Sequence, residues 1–244
     1  MRKQLDQEEI GMDEQRFLPS ASRFLKGRFS FLLISLLFFF LLHTFLAGHH
    51  LARYFLPTLL LVTLITNIHL FGDNRMASLV ASVLGLATLV LRWTTLVSEN
   101  QVLLLIGEGT GALFFVFIAL TILAAVLRAK TVTGDIVSGA LCVYLLIGMV
   151  WAFLFMLLES VHPGSFQLGE GATTVADSVH RRSAYLSLFL YFSFVTLSTV
   201  GYGDILPLTP PAHGLAALEG VIGQFYMAVL VARFVGLHLV HSQR

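Results

Sequence analysis

Six long apolar runs constrain the fold of this chain more than any other feature. They fall at 30–47, 54–71, 77–96, 102–127, 136–158 and 212–239. Each is close to or above the roughly 17–25 residues that cross a bilayer as a helix. With 57% of its 244 residues hydrophobic, 12% charged and a mean hydropathy of +0.84, a soluble fold of this length cannot hide the apolar surface. Lipid offers backbone groups no hydrogen bonds, so the runs are expected to be helices. The expected fold is an all-α membrane protein with six transmembrane helices.

Between the fifth and sixth runs lie a polar stretch, 160–183, and a short apolar one, 184–198. Fifteen helical residues reach only about 22 Å, too little to span comfortably. The expectation is a re-entrant pore helix that dips in and returns as extended backbone. Non-helical backbone at membrane depth is tolerated only where protein buries it or water lines it. The returning segment is Thr199-Val-Gly-Tyr-Gly-Asp204. Holding a dehydrated cation needs rings of oxygen at close range. Backbone carbonyls supply them only if successive residues aim C=O at one axis, whereas ordinary strands alternate. Positive φ at every second residue restores a common direction, and Gly201 and Gly203 adopt it at little steric cost. Val200 and Tyr202 then point away from the axis. Thr199 adds a hydroxyl oxygen to the innermost ring, and Asp204 puts negative charge near the outer mouth. A single copy cannot surround an ion, and no internal repeat is visible. Four chains are needed for fourfold rings, which implies a homotetramer.

The run 196–207, Thr-Leu-Ser-Thr-Val-Gly-Tyr-Gly-Asp-Ile-Leu-Pro, just after an apolar helix, resembles the selectivity filter of the potassium channel family. The resemblance covers about residues 130–236 and implies a K+-selective pore. K+ would be bound at Thr199, Val200, Gly201 and Tyr202, with Gly203 completing the filter. It places filter-supporting aromatics at Tyr191 and Phe192, whose expected task is to pack against Tyr202. It also puts the inner-helix hinge glycine at Gly223, where glycine equally suits close helix packing. The same alignment lines the cavity and gate with Gln224, Met227, Val231, Val235 and Leu239, at near-helical spacing. Val235 and Leu239 would form an apolar constriction that gates by dewetting. The expected organisation is a cytoplasmic tail, 1–29, a four-helix transmembrane domain, 30–129, and a pore domain, 130–244. The four-helix part matches the family only in number and order of spans.

Ionisable residues at membrane depth are functional candidates by default. Glu219 is expected to brace the filter from behind, and Glu159 to brace the outer loops. Arg92 and Glu108 either pair across adjacent spans or are hydrated separately. Asp135 reads as the N-terminal cap of the fifth helix. The fourth run carries no basic residue, so steep voltage dependence is not expected, and Gly107, Gly109 and Gly111 suggest close helix packing. Cys142, the single cysteine, reads as a small core hydrophobe and excludes an internal disulfide. Nine histidines show no zinc spacing, and His213 is the candidate for proton modulation at the mouth.

Lys and Arg collect on the side that holds both termini, so the positive-inside rule makes that side cytoplasmic in a multi-pass cell-membrane protein. No signal peptide is apparent, and few residues follow 239, which leaves no room there for a cytoplasmic regulatory domain. Regulation would then come from lipid, tension, pH, a partner or the N-terminal tail. A net charge of +1 gives no nucleic-acid footprint, and no nucleophile–base constellation suggests an enzyme. No cofactor is expected beyond K+ as the permeant ion. The expected function is passive K+ conduction with weak voltage dependence. The alternatives are a non-selective cation channel and a non-conducting or regulatory channel subunit.

Overall fold

The computed structural model describes residues 27–45, 58–59, 62–63, 75–97, 100–167 and 178–242. They form α1 (Arg28–Phe45), α2 (Arg75–Val97), α3 (Gln101–Arg128), α4 (Gly134–Val161), β1 (Phe166–Gln167), α5 (Ser178–Leu197), β2 (Leu206–Pro207) and α6 (Pro210–Ser242). The protein is mostly helical. Among the described residues, four helices are long and apolar enough to cross a membrane: α2, α3, α4 and α6. The second expected span, 54–71, lies outside the described residues except for positions 58–59 and 62–63, which are helical. Residues 1–26 of the expected tail and His49 and His50 also lie outside them. The apolar part of α1 is confined to Phe29–Leu42, in the 10–17 residue range. Four of the six expected spans are thus described as helices of spanning length, and the first two lie partly outside the described residues.

Helix ends follow local chemistry. Asn100 caps α3, its side chain accepting from the Val102 amide at 2.9 Å. Thr133 caps α4, its hydroxyl accepting from the Ile136 amide at 3.3 Å, so the cap expected of Asp135 belongs to the residue two positions earlier. Asp135 lies in the first turn instead, and its Oδ1 accepts from the Phe29 amide at 2.9 Å. A carboxylate on α4 thus satisfies one of the orphan donors at the start of α1.

Helix α4 is the hub, packing against α1, α3, α5 and α6, while α2 packs on α3. Phe114, Phe115 and Ile118 of α3 and Phe153 of α4 are fully buried, with Phe115 stacked on Phe153 at 5.8 Å. Small residues set the close approaches. A Cβ on Gly111 would touch Phe153 at 3.4 Å, and one on Gly148 would stand 2.7 Å from the Phe194 ring of α5. Gly107 faces Leu91 of α2, whereas Gly109 faces open space. Two of the three glycines expected to serve packing in this helix therefore do so. Cys142 is buried, its thiol 3.5 Å from the Phe29 carbonyl.

Candidate ion pathway

Helix α5 is longer than the expected 184–198, starting at Ser178. Its apolar part, Tyr185–Leu197, is 13 residues long and reaches only about 20 Å. Its C-terminus feeds directly into residues 198–204. The last-turn carbonyls of α5 need partners, and the following amides supply them. Ser198 N–H donates to Phe194 O at 3.0 Å, Thr199 N–H to Thr196 O at 2.9 Å, and Val200 N–H to Val195 O at 2.9 Å. Gly201 N–H shares the Val195 carbonyl at 3.3 Å.

These bonds fix where the carbonyls go. In a planar trans peptide, C=O of one residue is antiparallel to N–H of the next. With the amides of 199, 200 and 201 turned into α5, the carbonyls of Ser198, Thr199 and Val200 face away from it. The backbone has positive φ at Thr199 (60°), Gly201 (59°) and Gly203 (79°). This is the alternation expected of the two glycines, begun one step earlier by a threonine. Thr199 is the single non-glycine with positive φ among the described residues. For a β-branched residue that conformation costs on the order of 1–3 kcal/mol and persists only where the surroundings enforce it.

Residues 198–204 are exposed in the single chain and are held by a few specific contacts. Tyr191 stacks on Tyr202, ring centroids 6.4 Å apart and planes 3° from parallel. Its hydroxyl donates to Asp204 Oδ2 at 2.6 Å, which pushes the Tyr191 pKa up to about 12. The other oxygen of Asp204 accepts from the Ile205 amide at 3.1 Å. Phe192 does not share the task expected of it. Consecutive helical residues diverge by about 100°, and Phe192 faces Phe155 at 5.1 Å and Phe166 at 5.6 Å. It seats α5 on α4 and β1. Leu206 and Pro207 then pair with Gln167 and Phe166. Glu159 ties down that ribbon, accepting from the amides of Gly164 at 2.8 Å and Phe166 at 3.2 Å. His213 reaches the Pro207 carbonyl, Nε2 to O 2.9 Å.

From behind, Glu219 is fully buried. Its Oε1 lies 2.5 Å from Ser193 Oγ, which in turn lies 2.8 Å from the Gly148 carbonyl. Three helices, α4, α5 and α6, meet in that chain. Gly223, one turn on, approaches α5 so closely that a Cβ there would collide with the Leu197 carbonyl. Helix α6 runs through this position without interruption, so the glycine serves close packing in this arrangement. Gln224 Nε2 reaches Thr199 Oγ1 at 3.4 Å. Met227, Val231, Val235 and Leu239 continue the same stripe, each exposed in the single chain.

Away from the filter, Arg92 is buried with its guanidinium 5.1 Å from the centre of the Phe153 ring. Glu108, also buried, accepts from Ser160 Oγ at 3.3 Å. Arg233 has no counterpart in the sequence reading. It sits inside the sixth apolar run and donates to the carbonyls of Leu127 and, at 3.0 Å, Ala129. An arginine within an apolar span is itself the signal that marks it.

With this geometry in view, residues 139–237 match the model of a family described as ion channel. The chain is also 36% identical over 93 residues to the two pore potassium channel c of Oryza sativa subsp. japonica, an overlap of 34% of this chain and 18% of that protein. The chain carries an ion-channel domain, and both matches support the potassium channel family to which the run 196–207 pointed. It spans less than a fifth of that relative's length. No solved structure matches it significantly.

Proposed function

We propose that this chain forms a passive potassium-selective channel, a homotetramer with its pore on the fourfold axis. The observation that carries the reading is the backbone of 199–203. Positive φ at alternate residues, with the amides anchored in α5, frees a row of carbonyls in one direction. Four such rows replace the hydration shell of K+. Thr199, Val200, Gly201, Tyr202 and Gly203 are the ion-binding residues on this reading, and Asp204 concentrates cations at the mouth. Residues 130–244 form the pore domain, and 30–129 a four-helix domain around it. The protein is multi-pass in the cell membrane, with both termini cytoplasmic. Gln224, Met227, Val231, Val235 and Leu239 line the cavity and inner gate, and bending at Gly223 opens it once that glycine leaves the Leu197 carbonyl.

Flux from purified protein in liposomes tests this. K+ should pass and Na+ should not. At Gly201 (φ 59°) an alanine is strained by roughly 1–2 kcal/mol. Gly201→Ala is expected to abolish selective flux while tetramers still form, as seen by native mass spectrometry. Equal Na+ and K+ flux in the native protein would favour the non-selective alternative, and no flux from intact tetramers a regulatory subunit.

A further inference from the structure

We infer that Arg233 is a positioning residue for the inner gate, holding the end of the pore-lining helix to the C-terminus of α3. The last turn of a helix leaves its carbonyls unpaired and carries partial negative charge. Helix α3 ends at Arg128, and its C-cap Ala129 donates back to Val126. The guanidinium of Arg233 spans the carbonyls of Leu127 and Ala129, more than a hundred residues away in sequence. Both contacts come from one terminal nitrogen, Nη2, whose two hydrogens can serve two carbonyls at once. Arg128 and Lys130 flank the same carbonyls but point no side chain at them in any hydrogen bond among the described residues. Arg233 Nε is buried without a partner, so that nitrogen is closed off from water while Nη2 makes the contact.

Position gives the contact its consequence. Residue 233 lies two positions from both Val231 and Val235, about 200° around the helix and so on the face opposite the cavity stripe. A rotation or tilt of the inner end of α6 that widens the ring of Val235 and Leu239 must therefore move this guanidinium. It either breaks from the α3 carbonyls or carries α3 with it. Through Arg233 the four-helix domain acquires leverage on the gate without any charge that crosses the field. The inference rests on the channel reading for the word gate, but the contact itself does not.

Two measurements separate these. Single-channel recordings compare the native chain with Arg233→Gln and Arg233→Lys. Loss of a charge-assisted hydrogen bond should change the open fraction roughly tenfold in Arg233→Gln. Arg233→Lys, which keeps a charged nitrogen with several hydrogens but not the planar guanidinium, should shift it less in the same direction. Unitary current and K+/Na+ permeability should stay unchanged, because the side chain lies off the pathway. Native dwell times in both variants, or altered unitary current, overturn the coupling. If Arg233→Gln does not assemble, Arg233→Lys alone decides. Hydrogen exchange in lipid nanodiscs reads the contact without conduction. The last-turn amides of α3 should exchange roughly tenfold faster in either variant, and native exchange rates overturn the staple. A silent native channel would count against the channel reading, while exchange still decides the contact.

Discussion

Side chains behind the filter act through hydrogen-bond inventory. Ser193 has one hydroxyl hydrogen and two acceptors in reach, the Gly148 carbonyl and Glu219 Oε1. Glu219→Gln brings an N–H to the same place and is expected to assemble and conduct. Glu219→Ala removes the link from α5 to α6 and leaves a cavity between them, read as a lower melting temperature of the detergent-solubilised protein. At the outer mouth the Tyr191 hydroxyl is a donor to Asp204 only while protonated. Its folded pKa of about 12 exceeds the unfolded value of about 10. The bond therefore contributes in full below about pH 10 and is lost as pH rises through about 12. A spectroscopic tyrosine titration should contain one group ionising near 12 that Tyr191→Phe removes. The filter glycines were legible in the sequence because their conformation has few alternatives. The positive φ of Thr199 was not, since nothing in a threonine signals it. The direction of Phe192 was misread because two adjacent aromatics were given one task that helical geometry allows only one of them.

Helices were legible to within a few residues wherever the apolar run was long: 102–127 became Gln101–Arg128, and 136–158 became Gly134–Val161. Helix α5 was the weak case. Its first turn is Ser-Val-His-Arg, which hydropathy reads as loop. The cap at α4 went to Thr133 because Asp135 was needed at the start of α1, a tertiary demand that local sequence does not carry. The glycines divide similarly. Gly223 was open between bending and packing, and only the Leu197 carbonyl against it favours packing. Gly223→Ala is expected to overpack that contact, at roughly 1–3 kcal/mol, and to lower tetramer yield on size-exclusion chromatography as well as altering gating. Helix α3 bears one basic residue, Arg128, in its last turn. Moving one charge through the field supplies roughly 2.3 kcal/mol per 100 mV. With none inside the helix, the conductance–voltage relation should be shallow, and a steep sigmoid of several elementary charges would contradict this.

At the scale of the whole molecule, the surface of the single chain is itself a statement about assembly. Leu218, Val221, Phe225 and Val229 are exposed along α6, beside the cavity stripe of Met227, Val231 and Val235. In one subunit a helix that is apolar on so many faces has no aqueous side. In the proposed tetramer one stripe would face the neighbouring subunit and the other the cavity. On the same proposal, residues 199–203 have their supports in this chain and would meet their ion-binding partners in three copies. The most direct measurement is the reversal potential of tetramers in a planar bilayer with K+ on one side and Na+ on the other. Each tenfold preference for K+ moves it by about 59 mV, and the account predicts a displacement of at least that size toward the K+ equilibrium. A reversal potential near zero would mean that the carbonyl rows of 199–203 do not select the ion.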